Sequence, residues 1–331
     1  MYKVGIIGLG KVGSTYDDDP LVKGIYSHAG AYNINSETTV VAGSDIDRQK
    51  LKAFGRKLNI KALYSEYSEM LKNEDLDIIS VCTGGGIHYD IVKEAAKYDI
   101  EAVYCEKPMT DTLEKADEII KICREKKIVL AVNHLRRWDT GFQSVKKFID
   151  DKKIGDIQKF SIYYTKGIIN SGSHLFDILY YFFGDVDYIR SNYAYKQKDF
   201  TDPTLDVYVK FKSGLSGVLL GLNDDFFTFS KFDIFGTLGV ISIIDSGYKY
   251  EYYKVRKSEK FSVDRDLIKT ESPFVSGLDN AMPNAVTDIV ECIRTGKKPL
   301  CSGDDARYSV AAVNAALESV KNNSEKIFIS N

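Results

Sequence analysis

Val4-Gly5-Ile6-Ile7-Gly8-Leu9-Gly10-Lys11-Val12-Gly13 decides how this chain folds. A continuous apolar run enters three glycines spaced GxGxxG, the pattern of a buried strand that turns sharply into a helix. Glycine permits the tight turn and lets the backbone approach a pyrophosphate, which the free N–H groups and dipole of the helix N-terminus then stabilise. Gly8, Gly10 and Gly13, with Lys11 and Val12 between them, are therefore the first candidate dinucleotide contacts.

The same signature recurs outward. Apolar runs at 40–42, 78–82, 102–105 and 128–132 are continuous rather than alternating, as expected of parallel strands covered by helices on both faces. Between them 87–98 and 113–125 read as amphipathic helices, the second capped by Thr110 or Asp111. Beyond about residue 150 the period becomes two: Phe160, Ile162 and Tyr164; Leu205, Val207, Val209 and Phe211; Ile234; 240–244; Tyr248, Tyr250 and Tyr252. Alternation suits an antiparallel sheet with one face on helices, and Lys212-Ser213-Gly214 reads as a hairpin turn. Residues 304–321 have the period of a long helix that packs back toward the first domain. The expectation is an α/β chain: a doubly wound parallel Rossmann sheet over 1–130, then an α+β substrate and oligomerisation domain over 131–331 with a large, open, mostly antiparallel sheet.

At 331 residues the chain is long enough for two domains. With 45 Lys and Arg against 47 Asp and Glu, it lacks the broad basic surface that nucleic acid requires. Five cysteines without CxxC spacing argue against a disulfide framework and against a metal site. No leader-like or membrane-length apolar run is present, so the cytoplasm is the expected compartment. The four histidines, at 28, 88, 134 and 174, leave few candidates for proton transfer.

Asp45 ends the second strand, where an acidic residue accepts hydrogen bonds from the adenosine ribose; Ile46 beside it joins the cofactor set. Asp45 lies 32 residues after Gly13 rather than about 20, and the excess fits in 14–27, an acidic insertion that interrupts the first helix. Arg48 keeps NADP open, but Asp45 would repel a 2′-phosphate, so NAD is the expected cofactor. Thr83-Gly84-Gly85-Gly86 faces the nicotinamide half, with His88 either at the cofactor or simply starting the next helix. After the run at 102–105 come Glu106-Lys107-Pro108. A lysine at the end of a parallel strand stands on the edge where ligands bind, and its charge can stabilise an oxyanion. His28, past the insertion, is structural by default; the alternative is that its segment overhangs the active site.

The GxGxxG turn, the Glu-Lys-Pro after a later parallel strand, and the segment Gly167-Ile168-Ile169-Asn170-Ser171-Gly172-Ser173-His174-Leu175-Phe176-Asp177 together resemble the glucose–fructose oxidoreductase, inositol dehydrogenase and MocA family. The closing stretch from Asn284 through Ser302-Gly303-Asp304 is similar as well. The resemblance implies an NAD(P)-dependent dehydrogenase acting on a secondary hydroxyl of a sugar, cyclitol or nucleotide sugar, with Lys107, His174, Asn170 and Asp177 catalytic and Glu106 and Lys107 also near the cofactor. It implies substrate contacts from Asn170 and His174 and from Arg136, Arg137 and Trp138, where a solvated basic pair and a tryptophan packed between the domains are the competing readings, and a homodimer or homotetramer through the second sheet. Ser171 or Ser173 would cap the helix carrying His174. Asn170 stands where the family has aspartate: it can bind a hydroxyl but cannot act as a carboxylate base. Two other outcomes stay open, an NAD-dependent glycoside hydrolase working through transient oxidation and a non-catalytic dinucleotide-binding regulator.

Overall fold

In a computed structural model that describes residues 1–197 and 200–329, the chain divides into two compact units, Met1–Trp138 with Leu278–Val310, and Asp139–Gly277 with Ala311–Asn331. Neither unit is one uninterrupted stretch, in contrast to the single cut after residue 130 expected from the sequence pattern.

The first unit contains six parallel strands, β1 (Tyr2–Ile7), β2 (Thr38–Ser44), β3 (Ala62–Tyr64), β4 (Ile78–Val81), β5 (Ala102–Cys105) and β6 (Val129–Val132), in the order β3-β2-β1-β4-β5-β6. This is the doubly wound order, which reverses direction between β1 and β4 and creates a ligand crevice at their C-terminal ends. Its helices are α1 (His28–Ile34), α2 (Arg48–Leu58), α3 (Tyr67–Asn73), α4 (His88–Ala95) and α5 (Leu113–Lys126), joined later in the chain by α8 (Ala281–Thr295). Every residue of β4 and β5 is buried, which is why these strands read as unbroken apolar runs. The N-cap of α5 is Thr112, whose side chain accepts from Lys115 N–H, not Thr110 or Asp111; Thr110 instead donates to the Thr112 carbonyl.

Among the described residues the second unit is built on nine strands. They are β7 (Ile157–Tyr164), β8 (Val186–Tyr193), β9 (Leu205–Phe211), β10 (Ser216–Gly221), β11 (Ser230–Gly236), β12 (Gly239–Ile244), β13 (Lys249–Lys257), β14 (Arg265–Thr270) and β15 (Ile327–Phe328). The sheet order is β14-β13-β12-β11-β7-β10-β9-β8-β15, antiparallel except for the central β7–β10 pair. In β9 the residues Leu205, Val207, Val209 and Phe211 are buried and Tyr208 is exposed, as alternation requires. Helix α7 (Ser173–Phe183) supplies Phe183, whose ring packs 5.4 Å from Phe160 and 5.7 Å from Phe211. Helix α6 (Thr140–Asp150) adds Phe142 against Phe182. Of α9 (Gly303–Lys321), residues through Val310 belong to the first unit and the rest to the second. No helix among the described residues is long and apolar enough to cross a membrane.

Candidate active site

In the first unit the three glycines of the turn have different reasons. Gly8 has φ +91°, and a Cβ there would press into the Cys82 carbonyl. A Cβ on Gly13 would overlap the Gly8 carbonyl oxygen. Gly10 differs from both: its φ is −74°, open to any residue, and a Cβ would meet nothing within 4 Å. The fold gives no reason for glycine at 10, whereas a ligand backed against this turn does. Ser14 Oγ and Thr83 Oγ1, beside the turn, are buried and have no hydrogen-bond partner among the described residues. An open cradle flanked by such hydroxyls fits a dinucleotide phosphate.

Asp45 locks the same turn. One carboxylate oxygen accepts from Leu9 N–H at 2.8 Å, the other from Asp47 N–H at 2.8 Å, and Lys50 Nζ lies 4.0 Å away. Each oxygen keeps a second lone pair for a ribose hydroxyl. Ile46, next along, is 87% exposed. The insertion does break the first helix: a short wide turn at Lys11–Thr15 gives way to a loop, and α1 starts only at His28.

The ends of β4 and β5 meet through His88, whose fully buried ring places Nδ1 3.0 Å from the Pro108 carbonyl oxygen and Nε2 3.0 Å from that of Thr83. Both ring nitrogens thus face main chain, so of the two readings left open for His88 the structural one fits: it starts α4 and clips the Thr83 turn against Pro108. Glu106 is buried as well. Its Oε1 accepts from Asn133 Nδ2 and lies 3.0 Å from His28 Nε2. Burial pushes the carboxyl upward, but the hydrogen bond and charge of His28, the Asn133 amide and the Lys107 charge hold it below the ordinary glutamate value. A carboxyl depressed in the folded state stabilises the fold above its unfolded value and loses that contribution as pH falls through the folded one. Urea midpoints followed from neutral pH down past the ordinary value of 4.5 should therefore fall in the wild type, and fall less in Glu106→Gln.

Three open readings narrow here. Trp138 is 1% exposed, with Nε1 donating to Asp288 at 2.8 Å and its ring edge-on to Tyr104; it packs within the first unit and has no face left for a sugar. Arg137 is buried, donating to the Leu300 carbonyl and pairing with Asp305 at 3.1 Å, so it ties a loop rather than meeting substrate. His28 is fully buried, which excludes an overhanging role. Arg136 remains half-buried.

In the second unit, a wide helical turn at Gly167–Gly172 leads directly into α7. Asp202 clamps it: one carboxylate oxygen accepts from Ile169 N–H at 2.6 Å, the other from Asn170 N–H at 2.9 Å. Gly167, φ +69°, is required because any Cβ would overlap that carboxylate. The expected serine cap does not form, because Gly172 is already helical and the chain enters α7 without a break; Ser173 Oγ donates instead to the Asn170 carbonyl. His174 lies in the first turn of α7, half-buried, and Asp177 one turn on is fully buried. Asn170 lines a cavity of about 490 Å³ with Lys166, Gln197, Thr201, Asp202 and Asn223. These walls are polar and hydrogen-bonding, as a polyhydroxylated ligand needs. Sequence reasoning found Asn170 and missed the others, since they come from three separate loops. Asn170 lies in the turn that leads into α7 and His174 and Asp177 on the first turns of α7, all in the second unit, while Gly8, Gly10, Gly13, Asp45, Thr83 and Lys107 lie at strand ends of the first.

The chain is similar to known proteins along most of its length. Residues 2–134 match the model described as "Oxidoreductase family, NAD-binding Rossmann fold" (GFO_IDH_MocA), and residues 167–328 match "Oxidoreductase family, C-terminal alpha/beta domain" (GFO_IDH_MocA_C). D-apiose dehydrogenase of Paraburkholderia graminis is 23% identical over 89% of this chain and 84% of its own. The inositol 2-dehydrogenase/D-chiro-inositol 3-dehydrogenase of Lacticaseibacillus casei is 32% identical over 46% of this chain and 41% of its own. The WlbA dehydrogenase of Bordetella pertussis, crystallised with NADH and UDP-GlcNAcA, superposes with a TM-score of 0.78 at 19% identity, covering 100% of this chain and 99% of that one, a likeness of fold.

Proposed function

The chain belongs to the Gfo/Idh/MocA oxidoreductase family, and from that premise we propose that it oxidises a secondary hydroxyl of a sugar, cyclitol or nucleotide sugar, or reduces the corresponding ketone. The observation that carries the reading is the open cradle at Gly10 on the same sheet edge as Lys107. Bound there, NAD supplies the hydride acceptor at nicotinamide C4. Gly8, Gly10, Lys11, Val12 and Gly13 hold the pyrophosphate, Asp45 the ribose, Ile46 the adenine, and Thr83 the nicotinamide half. Lys107 stabilises the developing alkoxide, and His174 receives the hydroxyl proton. Asn170 binds a substrate hydroxyl, Asp177 orients the His174 imidazole, and Arg136 is left as the basic substrate contact.

Cofactor choice follows from Asp45. A fixed carboxylate accepts ribose hydroxyls and repels a 2′-phosphate. Asp45→Ser should shift the ratio of kcat/KM for NADP to that for NAD by at least roughly tenfold toward NADP, about 1.4 kcal/mol, and should cost some stability because Leu9 and Asp47 N–H lose their acceptor.

Two further points belong to the same reading. The sheet face opposite the helices exposes Tyr163, Tyr208 and Phe235, 37% each, and supports assembly of the chain with copies of itself; light scattering that shows only monomer would reject this. Five cysteines without disulfides suit the reducing cytoplasm. The test of function is NAD reduction across free sugars, cyclitols and nucleotide sugars. One class should reduce NAD in step with its own loss, and failure of all of them with protein that binds NAD would overturn the proposal.

A further inference from the structure

Glu106 is held at main chain and side chain alike. Its N–H donates to the Val81 carbonyl at 2.9 Å, its carbonyl accepts from Cys105 Sγ at 3.3 Å, and its carboxylate is held by His28 and Asn133. Behind it runs a line of buried polar groups: His28 Nδ1 lies 2.9 Å from Ser80 Oγ, and Ser80 Oγ donates to Tyr32 OH at 3.0 Å. On the other side Tyr104 OH donates to Asn133 Oδ1 at 2.8 Å, and the Tyr104 ring lies 4.4 Å from that of His28. His28, Ser80, Tyr32 and Tyr104 are all 0% exposed. The line ends inside the core, so it offers protons no route to water. What it does offer is rigidity, since a buried carboxylate must keep its partners and each partner here is itself fixed. His28 is delivered by the insertion: Asp17 accepts from Tyr26 and Ser27 N–H, and Ser27 caps α1 by accepting from Gly30 N–H.

We infer that His28 is a positioning residue: by holding the Glu106 carboxylate through Nε2 it sets where Lys107, the next residue, presents its amine. The inference rests on the reading of Lys107 as the group that meets the substrate oxygen. A buried hydrogen-bonded pair that served packing alone would be replaceable by apolar side chains at little cost; a pair that sets Lys107 is replaceable only by a side chain that keeps the bond to Glu106.

His28→Gln and His28→Asn separate these cases, because the glutamine amide reaches the Nε2 position toward Glu106 and the asparagine amide only the Nδ1 position toward Ser80. The readout is acetylation of Lys107 by acetic anhydride in the intact protein, quantified by peptide mass spectrometry relative to the exposed Lys121, with calorimetric NAD affinity as the check on folding. His28→Asn should raise Lys107 labelling at least fivefold as the strand end loosens, His28→Gln should restore the wild-type rate within twofold, and NAD affinity should stay within threefold in both. Equal labelling in all three proteins, or an equal rise in both variants, overturns the inference. Because labelling requires no substrate, it stands apart from the functional reading, which fails instead if Lys107→Ala turns over normally.

Discussion

Lys107→Ala is expected to lower kcat by about 10²–10³, the loss of about 2.7–4 kcal/mol that follows removal of one preorganised oxyanion donor, while NAD affinity falls less than roughly tenfold. The size follows from where the residue stands. Lys107 comes two positions after β5, whose four residues are all buried, and Glu106 N–H extends the pairing to Val81. The amine is thereby carried on a rigid strand end rather than on a free loop. A flexible surface lysine would lose little on truncation, so turnover within a few-fold of wild type would remove Lys107 from the chemistry. Steady-state kinetics with the best substrate of the sugar panel and calorimetry with NAD alone separate kcat from binding.

Gly10→Ala and Gly13→Ala should fail in opposite ways. At Gly13 the new methyl would overlap the Gly8 carbonyl oxygen, so the turn must shift; overpacking of this kind costs about 2–3 kcal/mol, which at roughly 2–4 °C per kcal/mol lowers the Tm of the first unit by roughly 4–12 °C. At Gly10 the methyl meets no protein atom and the backbone already suits alanine. Its Tm should stay within about 2 °C of wild type, yet NAD affinity should fall at least roughly tenfold, about 1.4 kcal/mol, because the methyl occupies the ground a pyrophosphate needs. Scanning calorimetry and NAD titration on both variants check the pair. Unchanged NAD affinity in Gly10→Ala would show that no phosphate lies against the turn.

Much of this was legible in the sequence, for identifiable reasons. Strands buried on both faces have to be continuous apolar runs, and five of the six parallel strands were. The sixth, β3, has three half-buried residues and no run to read. Period-two alternation revealed the second sheet, but β14, largely exposed, carries no such signal. Lys107 was legible because it follows a strand. The Arg136-Arg137-Trp138 cluster misled: adjacency in sequence does not say which way side chains leave the tight turn at Leu135–Trp138, and two of the three point into the unit. Partnerships across long separations were not legible at all. His28 meets Glu106 from 78 positions away and Asp202 meets Asn170 from 32, and no local pattern marks either bond.

The central claim is that this chain moves hydride between NAD and a polyol carbon. A single-turnover trace of nicotinamide absorbance, with enzyme in excess over NAD and each sugar class in turn, tests it most directly. The expected result is a lasting rise in reduced nicotinamide, stoichiometric with bound NAD, for at least one class. A rise that decays back with release of a sugar fragment would mean hydrolysis through transient oxidation. A flat trace for every class, from protein shown to bind NAD, would contradict the claim.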